Sequence, residues 1–316
     1  MRIVFFGTPE FAVPSLRALL GEGFDVVAVV TQPDKAKGRS RSQLVPPPIK
    51  LVAEAEGIPV LQPDRPTGDA FFAELRAFAP DIGVVVAYGH ILTPALLALP
   101  PRGMVNVHAS LLPALRGAAP IAWAILQGLE TTGVTMMQVE AGLDSGPILL
   151  QLATPIAADE TAGELTESLP ELGAQALVEG LMLLEQDGLT PEPQDHASAT
   201  SAPKLTRETA RLHWDRPAAI VARTIRALDP RPGAWAVLAT DGGTAARDPV
   251  EVKLFGARAI EGSGTPGAVL AAGERLQIAC ATGAVEVEEV QPAGKPRLLA
   301  ADWIRGRGVL AGGRFS

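Results

Sequence analysis

Cys280 is the single cysteine of the chain, so neither an internal disulfide nor a multi-cysteine zinc site can form. Its neighbours Ala279 and Ala281 are small and apolar, and the thiol reads as core filling. Histidine is scarce as well. The four, at positions 90, 108, 196 and 213, include no pair at ligand spacing, so no metal is expected. No apolar run approaches the roughly 18 residues that a membrane-spanning helix needs. Two glycine fingerprints are missing. No G-x-G-x-x-G follows the first strand-like run, which speaks against a nicotinamide dehydrogenase, and no G-x-S-x-G elbow points to a hydrolase triad. The N-terminus enters the apolar run Ile3-Val4-Phe5-Phe6 directly, with no leader pattern ahead of it, and a cytoplasmic location is expected.

The 316 residues suggest two domains with ample core. A formal net charge of −8 argues against a surface that binds polyanions everywhere. The charge is uneven, however. From Thr206 onward 15 Lys/Arg meet 12 Asp/Glu, so the C-terminal third is the more cationic part.

Near-continuous apolar runs at Ile3–Phe6, Val26–Val30, Ile82–Ala87, Met104–Val107 and Val134–Val139 read as strands covered on both faces. Helical patterns lie between them at Pro9–Leu20, Pro48–Glu56, Ala70–Phe78 and Ala118–Leu126. The alternation predicts an α/β fold with a doubly wound, mostly parallel, Rossmann-like sheet over residues 1–186. Thr161–Gln186 is helix-forming, but Pro170 predicts a break within it. Residues 187–205 are rich in Pro, Gly and Ser and read as a linker, with His196 a solvated surface histidine. Over 206–316 a helix at Pro217–Leu228 precedes short strands between glycine turns. The pattern suggests a small OB-like β-barrel.

The most informative segment runs from Gly103 to Pro113. Val105 and Val107 alternate with Asn106 and His108, which puts the amide and the imidazole on one face of a strand. Ligands of doubly wound sheets sit beyond the C-terminal strand ends, and His108 lies at such an end. An amide donor, a titratable ring and a carboxylate together can stabilise an oxyanion and move a proton. Asp144, in the glycine-bounded turn Gly142-Leu143-Asp144-Ser145-Gly146, supplies the carboxylate if the fold brings it to His108. Ser110-Leu111-Leu112-Pro113 can wall a flat ligand pocket through its backbone. Tyr88 and His90, in Ala87-Tyr88-Gly89-His90, lie past another strand end, where a pocket role and a boundary role are both open. Gly7-Thr8-Pro9-Glu10 reads as a simple βα turn rather than a phosphate cradle. Lys35, Lys37, Arg39 and Arg41 alternate along a loop that is either a solvated loop or a cationic arm for phosphates.

Asn106-x-His108, Ser110-Leu111-Leu112-Pro113 and Leu143-Asp144-Ser145-Gly146 together resemble the formyltransferase family that uses 10-formyltetrahydrofolate. Phe6-Gly7-Thr8-Pro9-Glu10-Phe11-Ala12, Thr31-Gln32-Pro33-Asp34, Arg116-Gly117-Ala118-Ala119-Pro120 and Ala202-Pro203-Lys204-Leu205-Thr206 extend the likeness along nearly the whole chain. The resemblance implies Asn106, His108 and Asp144 as the catalytic trio. Folate contacts are then expected at Ser110, Leu111, Leu112, Pro113, Tyr88 and Gly89. Its acceptor would be initiator methionyl-tRNA, gripped at the acceptor stem by Lys35, Lys37, Arg39, Arg41 and Lys204, for translation initiation. No metal, membrane or obligate protein partner is implied. The chain departs from the usual family pattern at Ala109, Ala114, Pro147 and Ser201, and its basic loop is one residue longer. The same trio serves formyl transfer to sugar nucleotides, which is the rival reading. A non-catalytic tRNA-binding protein is the rival of another class.

Overall fold

The computed structural model describes residues 1–37, 43–239 and 249–316. The chain divides into two compact units. One comprises Met1–Pro120, Thr131–Pro155 and Thr166–Ala202, the other Ile121–Glu130, Ile156–Leu165 and Pro203–Ser316.

In the first unit, strands β1 (Arg2–Gly7) and β2 (Asp25–Val30) are followed by a small hairpin of β3 (Lys35–Lys37) and β4 (Gln43–Val45). Then come β5 (Val60–Leu61), β6 (Ile82–Val86), β7 (Met104–His108), β8 (Thr131–Gln138) and β9 (Ile148–Pro155). Apart from the hairpin they form one sheet in the order β5-β2-β1-β6-β7-β8-β9. Pairing is parallel from β5 to β7 and antiparallel from β7 to β9. The doubly wound reading therefore holds for the parallel part. β6 is buried at every position, as expected of a strand covered on both faces. Helices α1 (Val13–Gly21), α2 (Pro48–Ala55), α3 (Asp69–Ala77) and α4 (Pro94–Leu97) connect these strands. α1, α2 and α4 each have a proline in the first turn, where its missing N–H costs nothing. α5 (Pro120–Gln127) runs from the end of the first unit into the second.

The break expected at Pro170 does not occur. α6 runs unbroken from Ala162 to Glu185 with Pro170 inside it. Its start is a capping box: Thr161 Oγ1 accepts from the Glu164 amide while Glu164 Oε2 accepts from the Thr161 amide. Further along, Leu169, Leu177 and Leu181 are buried. Burying such side chains is worth roughly 1.5–3 kcal/mol each, which outweighs the roughly 3 kcal/mol that an internal proline costs. Gly173 brings α6 onto β7, where a Cβ would lie 3.1 Å from Val107 Cγ1. Gly180 does the same over Met136 of β8, where no Cβ could be accommodated without moving the methionine sulfur.

The second unit holds α7 (Ala218–Ala227) and β10 (Ala234–Ala239), β11 (Val250–Ile260), β12 (Val269–Ala272), β13 (Leu276–Ala279), β14 (Ala284–Pro292) and β15 (Leu298–Leu299). α8 (Ala300–Arg305) and β16 (Arg314–Phe315) complete it. The strands form an antiparallel sheet in the order β12-β13-β14-β11-β10-β16, with β15 beside β14. A bridge from Ala268 to Arg314 joins its two edges, so the sheet nearly closes into the expected barrel. Cys280 is in its core, and burial pushes the thiol up to about 11.

Candidate active site

β7 sets the site. Its Val107 meets α6, so by the two-residue period Asn106 and His108 face the opposite side of the sheet. Asn106 is half-buried and His108 is 6% exposed. His108 Nε2 lies 2.9 Å from the Leu115 carbonyl oxygen. A carbonyl only accepts, so Nε2 carries the proton and is occupied. Nδ1 is the ring edge that remains, and it lies 3.8 Å from Oδ2 of Asp144. That distance exceeds a direct hydrogen bond and leaves both atoms capacity for a third group.

The Asp144 side chain is 15% exposed, and the residue has φ 48°, in the left-handed region. Its Oδ2 accepts from the Gly117 amide at 2.9 Å. Gly117 has φ 125°, and a Cβ there would sit 2.7 Å from the Ala202 carbonyl oxygen, so no other residue fits without strain. Arg116 pairs with the chain at Ser201, and its amide and carbonyl bond Thr200 O and Ala202 N. Residues 194–202, read from composition as part of a linker, thus form a strap along the site.

The turn after β7 is locked by a buried hydroxyl. Thr135 Oγ1 donates to Ser110 O at 2.6 Å, and accepts from the Leu112 amide and from Gln151 Nε2. Ser110 Oγ donates to Ala114 O at 2.7 Å and closes the turn on itself. Leu112 is buried, while Leu111 and Pro113 are half-exposed. Tyr88 follows the end of β6. Its ring is 1% exposed and packs edge-on against Phe6, and burial pushes the phenol up to about 12. The sheet end thus turns the ring into the core, and its carbonyl accepts from Thr8 Oγ1 and Gln32 Nε2. Gly89 is exposed at φ 85°, with Gln32 Nε2 pressed against where a Cβ would be.

Of the basic residues, Lys35 is exposed on the hairpin and its Nζ donates to Gln32 Oε1. The hairpin base is tied down by Lys50, which bonds both oxygens of Asp34 and Gln62 Oε1. The Gln62 and Lys50 hydrogen bonds hold the Asp34 carboxyl below its usual range. Lys37 is in β3, while Arg39 and Arg41 lie outside the described residues. Lys204 is exposed in the second unit. A shallow concavity along α1 and α6, bordered by Glu22, Glu171, Glu179 and Met182, contains none of the expected site residues.

Sequence reasoning missed Gln194, Thr135, Thr200 and the Leu115 carbonyl. Gln194, Thr135 and Thr200 act on backbone groups far along the chain, and the Leu115 carbonyl meets His108 only because the turn between them folds back, so no local pattern marks these partners.

The chain belongs to the formyl transferase family: residues 1–181 match the family's formyl transferase domain, and residues 204–308 match its formyl transferase C-terminal domain. Its relatives along almost the whole length include methionyl-tRNA formyltransferases. The one from Stenotrophomonas maltophilia is 49% identical over 97% of this chain and 98% of that protein. The one from Citrifermentans bemidjiense is 45% identical over 99% of this chain and 96% of that protein. Among solved structures, HypX from Aquifex aeolicus in complex with tetrahydrofolic acid has a TM-score of 0.64 at 22% identity. It matches 96% of this chain, which spans 46% of HypX. The sugar 3N-formyl transferase WlaRD, solved with dTDP and 5-N-formyl-THF, has a TM-score of 0.66 at 17% identity, covering 94% of this chain and 99% of that one. At these identities the two structures share the fold.

Proposed function

We propose that this chain transfers the formyl group of 10-formyltetrahydrofolate to the α-amino group of methionine on initiator methionyl-tRNA, in the cytoplasm. The observation that carries the reading is the polar end of β7, where Asn106 and His108 share one face and the Asp144 carboxylate stands 3.8 Å from the free edge of the imidazole. Near-full-length identity to methionyl-tRNA formyltransferases supports the choice of acceptor. A sugar-nucleotide acceptor has only the shared fold in its favour.

In this reading the amine nitrogen attacks the formyl carbon and a new C–N bond forms, while the carbonyl electron pair moves onto oxygen. The Asn106 amide and a His108 Nδ1–H donate to that oxygen, and one such donor is typically worth about 2.7–4 kcal/mol. The electron pair then returns and expels N10. The amine gives up one proton and N10 gains one, relayed by a water that Asp144 and His108 orient. Asp144 also stabilises positive charge on the ring when the ring holds the extra proton.

Ser110–Pro113 and Gly89 would meet the folate through backbone groups and the half-exposed Leu111 and Pro113. Lys35, Lys37, Arg39 and Arg41 would follow the phosphates of the acceptor end, and Lys204 with the barrel unit would hold its flank. Phosphate contacts of this kind position a nucleic acid without reading its sequence. The test is formyl transfer from 10-formyltetrahydrofolate to methionyl initiator tRNA, with methionyl elongator tRNA and an amino-sugar nucleotide as alternative acceptors. Fast transfer to the initiator alone is expected. No transfer, or equal transfer to the elongator, would end the proposal.

A further inference from the structure

Gln194 is the buried polar side chain nearest to explaining why Asp144 stays in place. It is 6% exposed, although it sits between Pro193 and Asp195 in a segment whose composition suggested a linker. Its Oε1 lies 3.0 Å from Arg116 Nε and 2.6 Å from Arg116 Nη2. A guanidinium carries only donors, so the amide oxygen must face it. The amide nitrogen is thereby turned the other way. It donates to Asp144 O at 3.0 Å and to Gly146 O at 2.7 Å. A flipped amide would oppose oxygen to two carbonyls and NH2 to a guanidinium, so Arg116 decides the orientation of Gln194.

We infer that Gln194 is a positioning residue that clamps both ends of the Asp144-Ser145-Gly146 turn and so fixes the Asp144 carboxylate against His108. Asp144 has φ 48°, a conformation that costs a non-glycine residue energy and persists only where neighbours hold it. Two adjacent residues hold it from opposite sides. Arg116 acts on the backbone through Gln194, and Gly117 bonds the carboxylate with its amide. Arg116 Nη2 in turn donates to His196 Nδ1 at 3.1 Å, which completes the support from the strap. Without Gln194, two carbonyls lose their partner and the turn loses what keeps its one functional oxygen within 3.8 Å of Nδ1.

The kinetic part of the test rests on the proposed formyl transfer, and a second readout does not. Gln194→Met keeps length and bulk but removes both donors. Gln194→Glu keeps an acceptor for Arg116 and sets a carboxylate against the two carbonyls. Each, once shown to be folded by its melting transition, should lower kcat by about 10- to 100-fold, the scale of a misplaced group. KM for folate and for tRNA should stay within about twofold, because the lost interaction acts in the transition state. In the ligand-free protein, the ring-nitrogen NMR signals of His108 should move toward those of Asp144→Asn. Arg116→Met, which frees the amide while leaving Gln194 in place, should give the same pair of changes where the Gln194 variants fold poorly. Wild-type kcat in a folded variant, or a lower kcat with unmoved His108 signals, would overturn the inference. If the wild-type chain transfers no formyl group, the functional reading fails, and the His108 signals still decide the role of Gln194.

Discussion

The Gly117 amide donates to Oδ2 of Asp144 at 2.9 Å, and the same oxygen is the one that faces His108. One carboxylate oxygen thus has a fixed structural bond and a looser electrostatic neighbour. Replacing Asp144 by Asn keeps an acceptor for Gly117 and removes the charge beside the imidazole. We expect Asp144→Asn to fold normally and to slow single-turnover formyl transfer by about 10²–10³-fold, the usual cost of losing one preorganised electrostatic group. A rate close to wild type in a rapid-quench measurement would remove Asp144 from the chemistry.

Thr135 joins three partners through one fully buried hydroxyl. Thr135→Val is nearly isosteric and strands the Leu112 amide and the Ser110 carbonyl. A stranded buried group costs about 1–3 kcal/mol, so a loss of about 2 kcal/mol in urea unfolding is expected. An unchanged midpoint would mean that water reaches the turn.

Glu286, 6% exposed on β14, accepts from Gln277, Arg258 and Arg275. The Gln277 amide first, and then the guanidiniums, hold its carboxyl below the ordinary value of 4.5. A carboxyl depressed in the folded state binds its proton more readily when unfolded. Its contribution to stability is therefore full above pH 4.5 and is lost as the pH falls through the folded value. Glu286→Gln should flatten the decline of urea midpoints on acidification below that point. A decline as steep as wild type would place the acid sensitivity elsewhere.

Charge reversal at Arg39 and Arg41 should raise KM for tRNA and leave KM for folate unchanged. The salt dependence of tRNA binding should fall by about 0.7–0.9 in log–log slope for each phosphate no longer neutralised. An unaltered slope would show that the loop is merely solvated. This prediction comes from the sequence, since both residues lie outside the described part of the chain.

Period-two alternation over Val105–His108 was enough to put Asn106 and His108 on one face, because a strand's geometry is local. The apolar runs Ile3–Phe6 and Ile82–Ala87 gave away parallel strands for the same reason. Pro170 misled, since its cost is local while the burial that offsets it comes from the sheet beneath α6. The place of Tyr88 past a strand end is legible in the sequence, but which way the ring turns depends on Phe6, about eighty positions away. Gln194 left no trace in its own neighbourhood, where Pro, Asp and Ser spell a linker.

By itself the sequence determined the alternation of strands and helices, the polar end of one strand, and a turn able to carry a carboxylate. These follow from rotations about bonds within a few residues of each other. Tertiary structure alone decided that Asp144 meets Nδ1 rather than Nε2 of His108, and that a glutamine from the strap holds the aspartate there. Those outcomes depend on backbone donors and acceptors that are distant along the chain and become neighbours only when the sheet assembles.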